Sequence, residues 1–147
     1  MSNTQSIPSQ ATLSISSLTM IATYASLYIA QIALFWTAFE KFSGAPEWLT
    51  EMLASSPFAP LTGFGWIMIG ALELLVLAFV VLSLVKKEFL GHNNGLFLKA
   101  AISIGMVALA TMAMGTSFAN DFASKASFIY YLGAQVVMYL IADRQSQ

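Results

Sequence analysis

Residues 72–85 read LELLVLAFVVLSLV. A helix in a soluble bundle shows a polar face at every turn. This stretch is apolar all round the helical wheel, so a soluble bundle does not account for it. Lipid does, because a bilayer solvates an apolar exterior. A bilayer core needs about 20 mostly apolar residues per spanning helix. Working outward, four stretches qualify, at about 18–41, 62–85, 96–115 and 126–142. Charged residues close three of them: Glu40 and Lys41, then Lys86, Lys87 and Glu88, then Asp143 and Arg144.

Composition agrees. The chain has 147 residues, 58% hydrophobic and 9% charged, against about 25% charged in an ordinary soluble domain. The expected fold class is all-α: a four-helix transmembrane bundle with a short amphipathic interfacial helix in the first outer loop. One membrane domain, 18–142, lies between a disordered tail, 1–17, and a short C-terminal tail, 143–147. The first tail is rich in Ser, Thr and Gln and carries Pro8 but no basic residue. The apolar run behind it exceeds the about 15 residues of a signal-peptide core, which predicts a retained helix. No basic cluster suits nucleic acid. The absence of cysteine excludes disulfides, thiolate metal sites and thiol redox chemistry by this chain.

The longest connection, 43–61, reads SGAPEWLTEMLASSPFAPL. Trp48, Leu49, Met52 and Leu53 share one side of a helical wheel, opposite Glu47, Thr50, Glu51 and Ser55. That pattern predicts a helix lying in the interface, begun near Pro46 and ended by Pro57 and Pro60. Asn94-Gly95 is a turn pair. Lysines and arginines gather on the side of the second loop and the C-terminus (Lys86, Lys87, Lys99, Arg144), against Lys41 and Lys125 opposite. The positive-inside rule then places both termini in the cytoplasm.

An acid at the centre of a spanning helix costs about 2.5–3.5 kcal/mol on insertion scales and is a candidate for function. Glu73 lies mid-span in the second helix. Desolvation at that depth favours its neutral, protonated form. Gln31 and Gln135 fall at similar depth in the first and fourth spans. Two readings stand. The three side chains meet and line a polar site, continued by Tyr24 and Tyr28; or they hydrogen-bond helices together. Lys41 ends its span, either snorkelling outward or facing the bundle. Lys99 snorkels. His92, the single histidine, sits in a solvated turn, and no metal site is predicted. The methionines read as packing. Ala101, Gly105, Ala108 and Ala113 make the third span the tightest-packed helix, and Gly70 lets a neighbour approach Glu73.

Four short elements carry a family likeness: LFWTAFEKF (34–42), Ser55-Ser56-Pro57-Phe58, IGALELL (69–75) and a third span rich in small residues and methionine. In these the chain resembles the DoxX-like superfamily of four-helix bacterial membrane proteins, and the Lys-Phe and Ser-Pro-Phe elements look like its YkgB-like branch, linked to reactive-chlorine resistance. It departs from that branch at Gly44-Ala45-Pro46-Glu47, where a Tyr-Glu pair is expected. The motif residues carried over are Lys41, Pro57, Gly70 and Glu73. The resemblance implies a bacterial inner-membrane protein that acts through partners, as an accessory or redox and oxidative-stress-associated subunit. The residues predict no cofactor; quinone is the class the family admits. Partners expected are the bilayer and either a membrane protein or a second copy. Two alternatives remain open. One is a small proton-linked transporter using Glu73. The other is a quinone or lipophilic-ligand binder using Glu73 with Phe35, Trp36, Phe39, Phe42 and Trp66. No catalytic motif marks an enzyme.

Overall fold

In lipid, backbone polar groups find partners only within the protein, so long apolar runs become helices. The computed structural model describes residues 15–91 and 93–145. Helix α1, Ile15–Phe35, runs on into a 3-10 helix, Trp36–Ser43. Then come α2 (Glu47–Leu53), α3 (Thr62–Val85), α4 (Leu96–Phe118) and α5 (Phe122–Gln145). Four helical stretches are long and apolar enough to cross a membrane: Ser17–Ser43, Ala59–Val85, Leu96–Phe118 and Phe122–Gln145. The chain is thus an all-α, multi-pass membrane bundle. The short helix expected in the first loop is α2, which follows Pro46 and buries Leu53.

Several boundaries differ from the hydropathy reading. Helix α1 begins at Ile15, inside the stretch expected as tail, and residues 1–14 and His92 lie outside the described residues. Helix α4 continues past 115 because Thr116 and Ser117 turn their hydroxyls back onto the carbonyls of Met112 and Ala113. Polar residues that satisfy themselves in this way extend a helix without registering as apolar. Helix α5 begins at Phe122, directly after Asn120 turns the chain with φ 56°. Asp121 accepts the Ser124 backbone N–H at 3.1 Å. The Ser124 hydroxyl and N–H hold the Asp121 carboxyl below the usual carboxylate range. At its other end α5 continues through Asp143 and Arg144 to Gln145, beyond the predicted stop. There Asp143 pairs with Lys99 at 3.1 Å, so Lys99 has a partner in the protein.

Helix α4 packs between α3 and α5. Its small residues allow this. Ala101, Gly105 and Ala108 are buried, while Ala113 is half-buried. A Cβ on Gly105 would sit 2.8 Å from the Phe35 ring, so this glycine sets how close α1 approaches. The core is completed by Tyr24, Leu27, Tyr28 and Phe35 of α1 and Val76 and Val80 of α3. Ile29, Trp36, Phe64, Val85 and Tyr130 point outward, where lipid solvates them.

The turn between α3 and α4 is built around an acid. Lys87, Gly91, Asn94 and Gly95 all take left-handed backbone conformations, which fold Glu88 under the bundle. Its carboxylate accepts the backbone N–H groups of Phe97 at 2.9 Å and Leu98 at 3.0 Å. These are orphan donors at a helix start, where negative charge is also favoured. The Ser83 hydroxyl gives its proton to the same carboxylate, so it accepts from the Tyr28 hydroxyl 2.8 Å away. Glu88, grouped in the sequence with the charges that close the second span, is in fact fully buried.

Replacing Glu88 by Ala leaves the buried Leu98 N–H, the part-buried Phe97 N–H and a buried hydroxyl without their acceptor, at about 1–3 kcal/mol for each fully buried group. The expected result is a clearly lower unfolding midpoint in detergent, measured by circular dichroism, with Glu88→Gln losing less because it keeps one acceptor oxygen.

Candidate functional site

A change of helix type decides where Lys41 points. It lies six positions after Phe35, which is buried. On a continued α-helix those six steps would turn Lys41 about 120° away from the Phe35 face. The 3-10 helix has about three residues per turn, so every third side chain eclipses. Phe35, Ala38 and Lys41 therefore stack on one edge, and all three are buried. The glycine that follows, Gly44, takes φ 111° and ends the segment.

The edge meets α3. Lys41 Nζ lies 2.8 Å from Glu73 Oε2 and donates a second hydrogen bond to Thr37 Oγ1 at 2.9 Å. The two charged side chains are 6% and 2% exposed, which makes this a desolvated pair rather than an interfacial one. Gly70 makes the approach possible: a Cβ there would stand 2.8 Å from Lys41 Cβ and 3.4 Å from the Ala38 carbonyl oxygen. The ammonium also lies 5.0 Å from the centre of the Trp66 ring, whose π-face attracts a cation. The snorkelling alternative for Lys41 does not describe this geometry. The 3-10 turn carries the side chain inward instead of out to the interface.

The expected meeting of three polar side chains divides in two. Gln31 and Gln135 exchange hydrogen bonds at 3.0 and 3.2 Å, and the Gln31 amide also reaches the Met138 sulfur at 3.7 Å. Both amides are fully buried. Glu73 is bonded instead to Lys41. Tyr24, Tyr28 and Gln31 lie on the inward face of α1, but Tyr28 belongs to the Ser83–Glu88 chain. Of the motif residues, Lys41, Gly70 and Glu73 converge. Pro57 lies apart, in the turn after α2, and its neighbour Phe58 packs 4.5 Å from Phe118.

Trp66, which meets the ion pair, also lines a cavity of about 260 Å³. Helices α2, α3, α4 and α5 wall it, through Trp48, Met52, Trp66, Met112, Phe118 and Phe128 among others. Trp48 meets Trp66 edge-on at 6.2 Å, so α2 closes one side. Its lining is mostly apolar and aromatic with a few polar groups, as small-molecule sites generally are. Among the described residues no group of three or more His, Cys, Asp or Glu is placed to hold a metal ion.

The pairing of Lys41 with Glu73 and the burial of Glu88 were not legible from the sequence. One signal did exist: Thr37 lies four residues before Lys41, within reach of its ammonium. No family model, curated protein or solved structure matches the chain.

Removing one partner of a buried pair leaves an uncompensated charge, at about 3–5 kcal/mol, whereas replacing both by apolar groups is often neutral. Lys41→Met and Glu73→Leu are each expected to lower the unfolding midpoint sharply, and the double variant to recover most of it. A double-mutant cycle in one detergent checks this; additive losses would contradict the pairing.

Proposed function

We propose that this chain is a lipophilic-ligand-binding membrane protein whose site is the cavity between α2 and α5, backed by the Lys41–Glu73 pair. One observation carries the reading. A mostly apolar cavity of about 260 Å³ shares a wall, Trp66, with a desolvated ammonium–carboxylate pair. An engineered apolar cavity of about 150 Å³ already takes benzene, so a ring-sized group has room. Quinones combine an apolar ring with carbonyl oxygens, and they are the ligands we infer.

The same reading supports an accessory role. The sequence carries no complete catalytic motif, so we assign any redox step to a partner that this subunit supplies with ligand. The sequence likeness to DoxX-like proteins, through Lys41, Pro57, Gly70 and Glu73, supports a redox or oxidative-stress-associated subunit in a bacterial inner membrane. The excess of lysine and arginine around Lys86, Lys87, Lys99 and Arg144 supports cytoplasmic termini. Proton-linked transport is the second reading. Its support is the inward stripe of Tyr28, Gln31 and Lys41 on one span. Against it stands the buried Phe35, which separates the glutamine pair from the ion pair.

Gly65 and Gly115 both line the cavity, and a Cβ on either meets nothing within 4 Å. Gly65→Leu and Gly115→Leu are therefore expected to fill the cavity without unfolding the bundle. In lipid nanodiscs each should weaken binding of a short-chain ubiquinone analogue about tenfold or more, read by quenching of tryptophan fluorescence. Unchanged binding in both variants would refute the site. Mass spectrometry of the protein purified in mild detergent tests the accessory role, with a partner chain expected alongside.

A further inference from the structure

The polar side chains that line the cavity are Thr62, Thr111, Thr116, Asp121 and Ser124. Their hydrogens are already committed. Thr62 donates to the Ala59 carbonyl, Thr111 to that of Val107, and Thr116 to those of Met112 and Ala113. The Ser124 hydroxyl and N–H both turn to the Asp121 carboxylate. At the turn between α4 and α5 the Ala119 N–H goes to the Gly115 carbonyl and the Asp121 N–H to that of Thr116. The Trp66 N–H is sealed inside the wall and does not open onto the cavity. What the lining offers a ligand is therefore acceptors. Asp121 is the strongest of them, because it is the one charged residue in the lining. A carboxylate has about four acceptor positions. The Ser124 hydroxyl, the Ser124 N–H and the Ala123 N–H occupy three of them, so one more donor has a place.

An oxidised quinone presents acceptors only, its carbonyl oxygens. Its reduced form, the quinol, carries hydroxyls at the same positions on a ring of nearly the same size. We infer that the cavity selects the quinol over the quinone, with a ligand hydroxyl donating to the Asp121 carboxylate. This rests on the cavity being a quinone site. It adds the redox state that is bound and the group that recognises it. Asp121 is held in place for the role, since it precedes α5 and accepts N–H groups of that helix's first turn. Those donors already stabilise its charge, so a neutral hydroxyl suits it and a cationic head is not required.

Three probes test it: 2-methyl-1,4-naphthoquinone, its quinol kept reduced with dithionite, and the dimethyl ether of that quinol, which has the ring and oxygens without the hydroxyl hydrogens. Binding to the full chain in nanodiscs is measured anaerobically by equilibrium dialysis, against protein-free discs. Asp121 is half-buried, so screening by water holds the expected preference of the wild-type chain for the quinol to about tenfold. The ether should bind no better than the quinone. Voltammetry of the bound couple should then show a midpoint potential raised by about 30 mV, which is tenfold for two electrons. Asp121→Asn and Asp121→Ser both keep a good helix cap and remove the carboxylate. Each should lose the quinol preference and the potential shift while still binding the quinone. Equal binding of quinone and quinol, an ether that binds as tightly as the quinol, or a preference that survives in both variants overturns the selection and leaves a lipophilic site standing. Binding of none of the three probes overturns both.

Discussion

A carboxylate in the middle of an apolar helix must be neutralised, and this bundle neutralises it with a lysine from a neighbouring span. Most of the unusual local structure follows from that requirement. Lys41 reaches Glu73 only because the end of the first span is a 3-10 helix. That segment lies close to α3 only because residue 70 has no side chain. Trp66, two turns before Glu73 on the same face of α3, meets the ammonium with its ring. A long 3-10 run is uncommon, since its hydrogen bonds are poorer than those of an α-helix. Here the run is coupled to a buried ion pair that an α-helix in this register would not form.

Among the described residues three buried side-chain contacts join different elements. The ion pair joins the 3-10 segment to α3, the glutamine pair joins α1 to α5, and the tyrosine–serine–glutamate chain joins α1 and α3 to the start of α4. Apolar side chains pack almost as well on lipid as on one another, so they discriminate weakly between helix registers. Directional bonds at three depths do discriminate. A slip of one residue in α1 would break contacts at all three.

How far the sequence reveals this depends on the kind of signal. Four spans follow from hydropathy alone, because the bilayer sets one length for all of them. The short helix over Glu47–Leu53 follows from its amphipathic pattern. The Gln31–Gln135 bond follows from depth, since two costly amides at one level have few other partners. Lys41 and Glu88 are different. Each sits beside the polar end of a span, where charge is normally solvated, and each turns inward for a backbone reason. For Lys41 the reason is a change in residues per turn. For Glu88 it is the left-handed backbone at Lys87, Gly91, Asn94 and Gly95. Hydropathy registers neither, because it counts residues without following the path of the chain.

The 3-10 segment has a further consequence, for length. It rises about 2.0 Å per residue, against about 1.5 Å in an α-helix. Over the eight residues Trp36–Ser43 the difference comes to about 4 Å of extra reach. Rewinding the segment into an α-helix would shorten the first span by that amount and swing Lys41 away from Glu73 in the same motion. Span length and charge pairing are therefore one coordinate. The thickness of the surrounding hydrocarbon and the closure of the ion pair act on the same few backbone torsions.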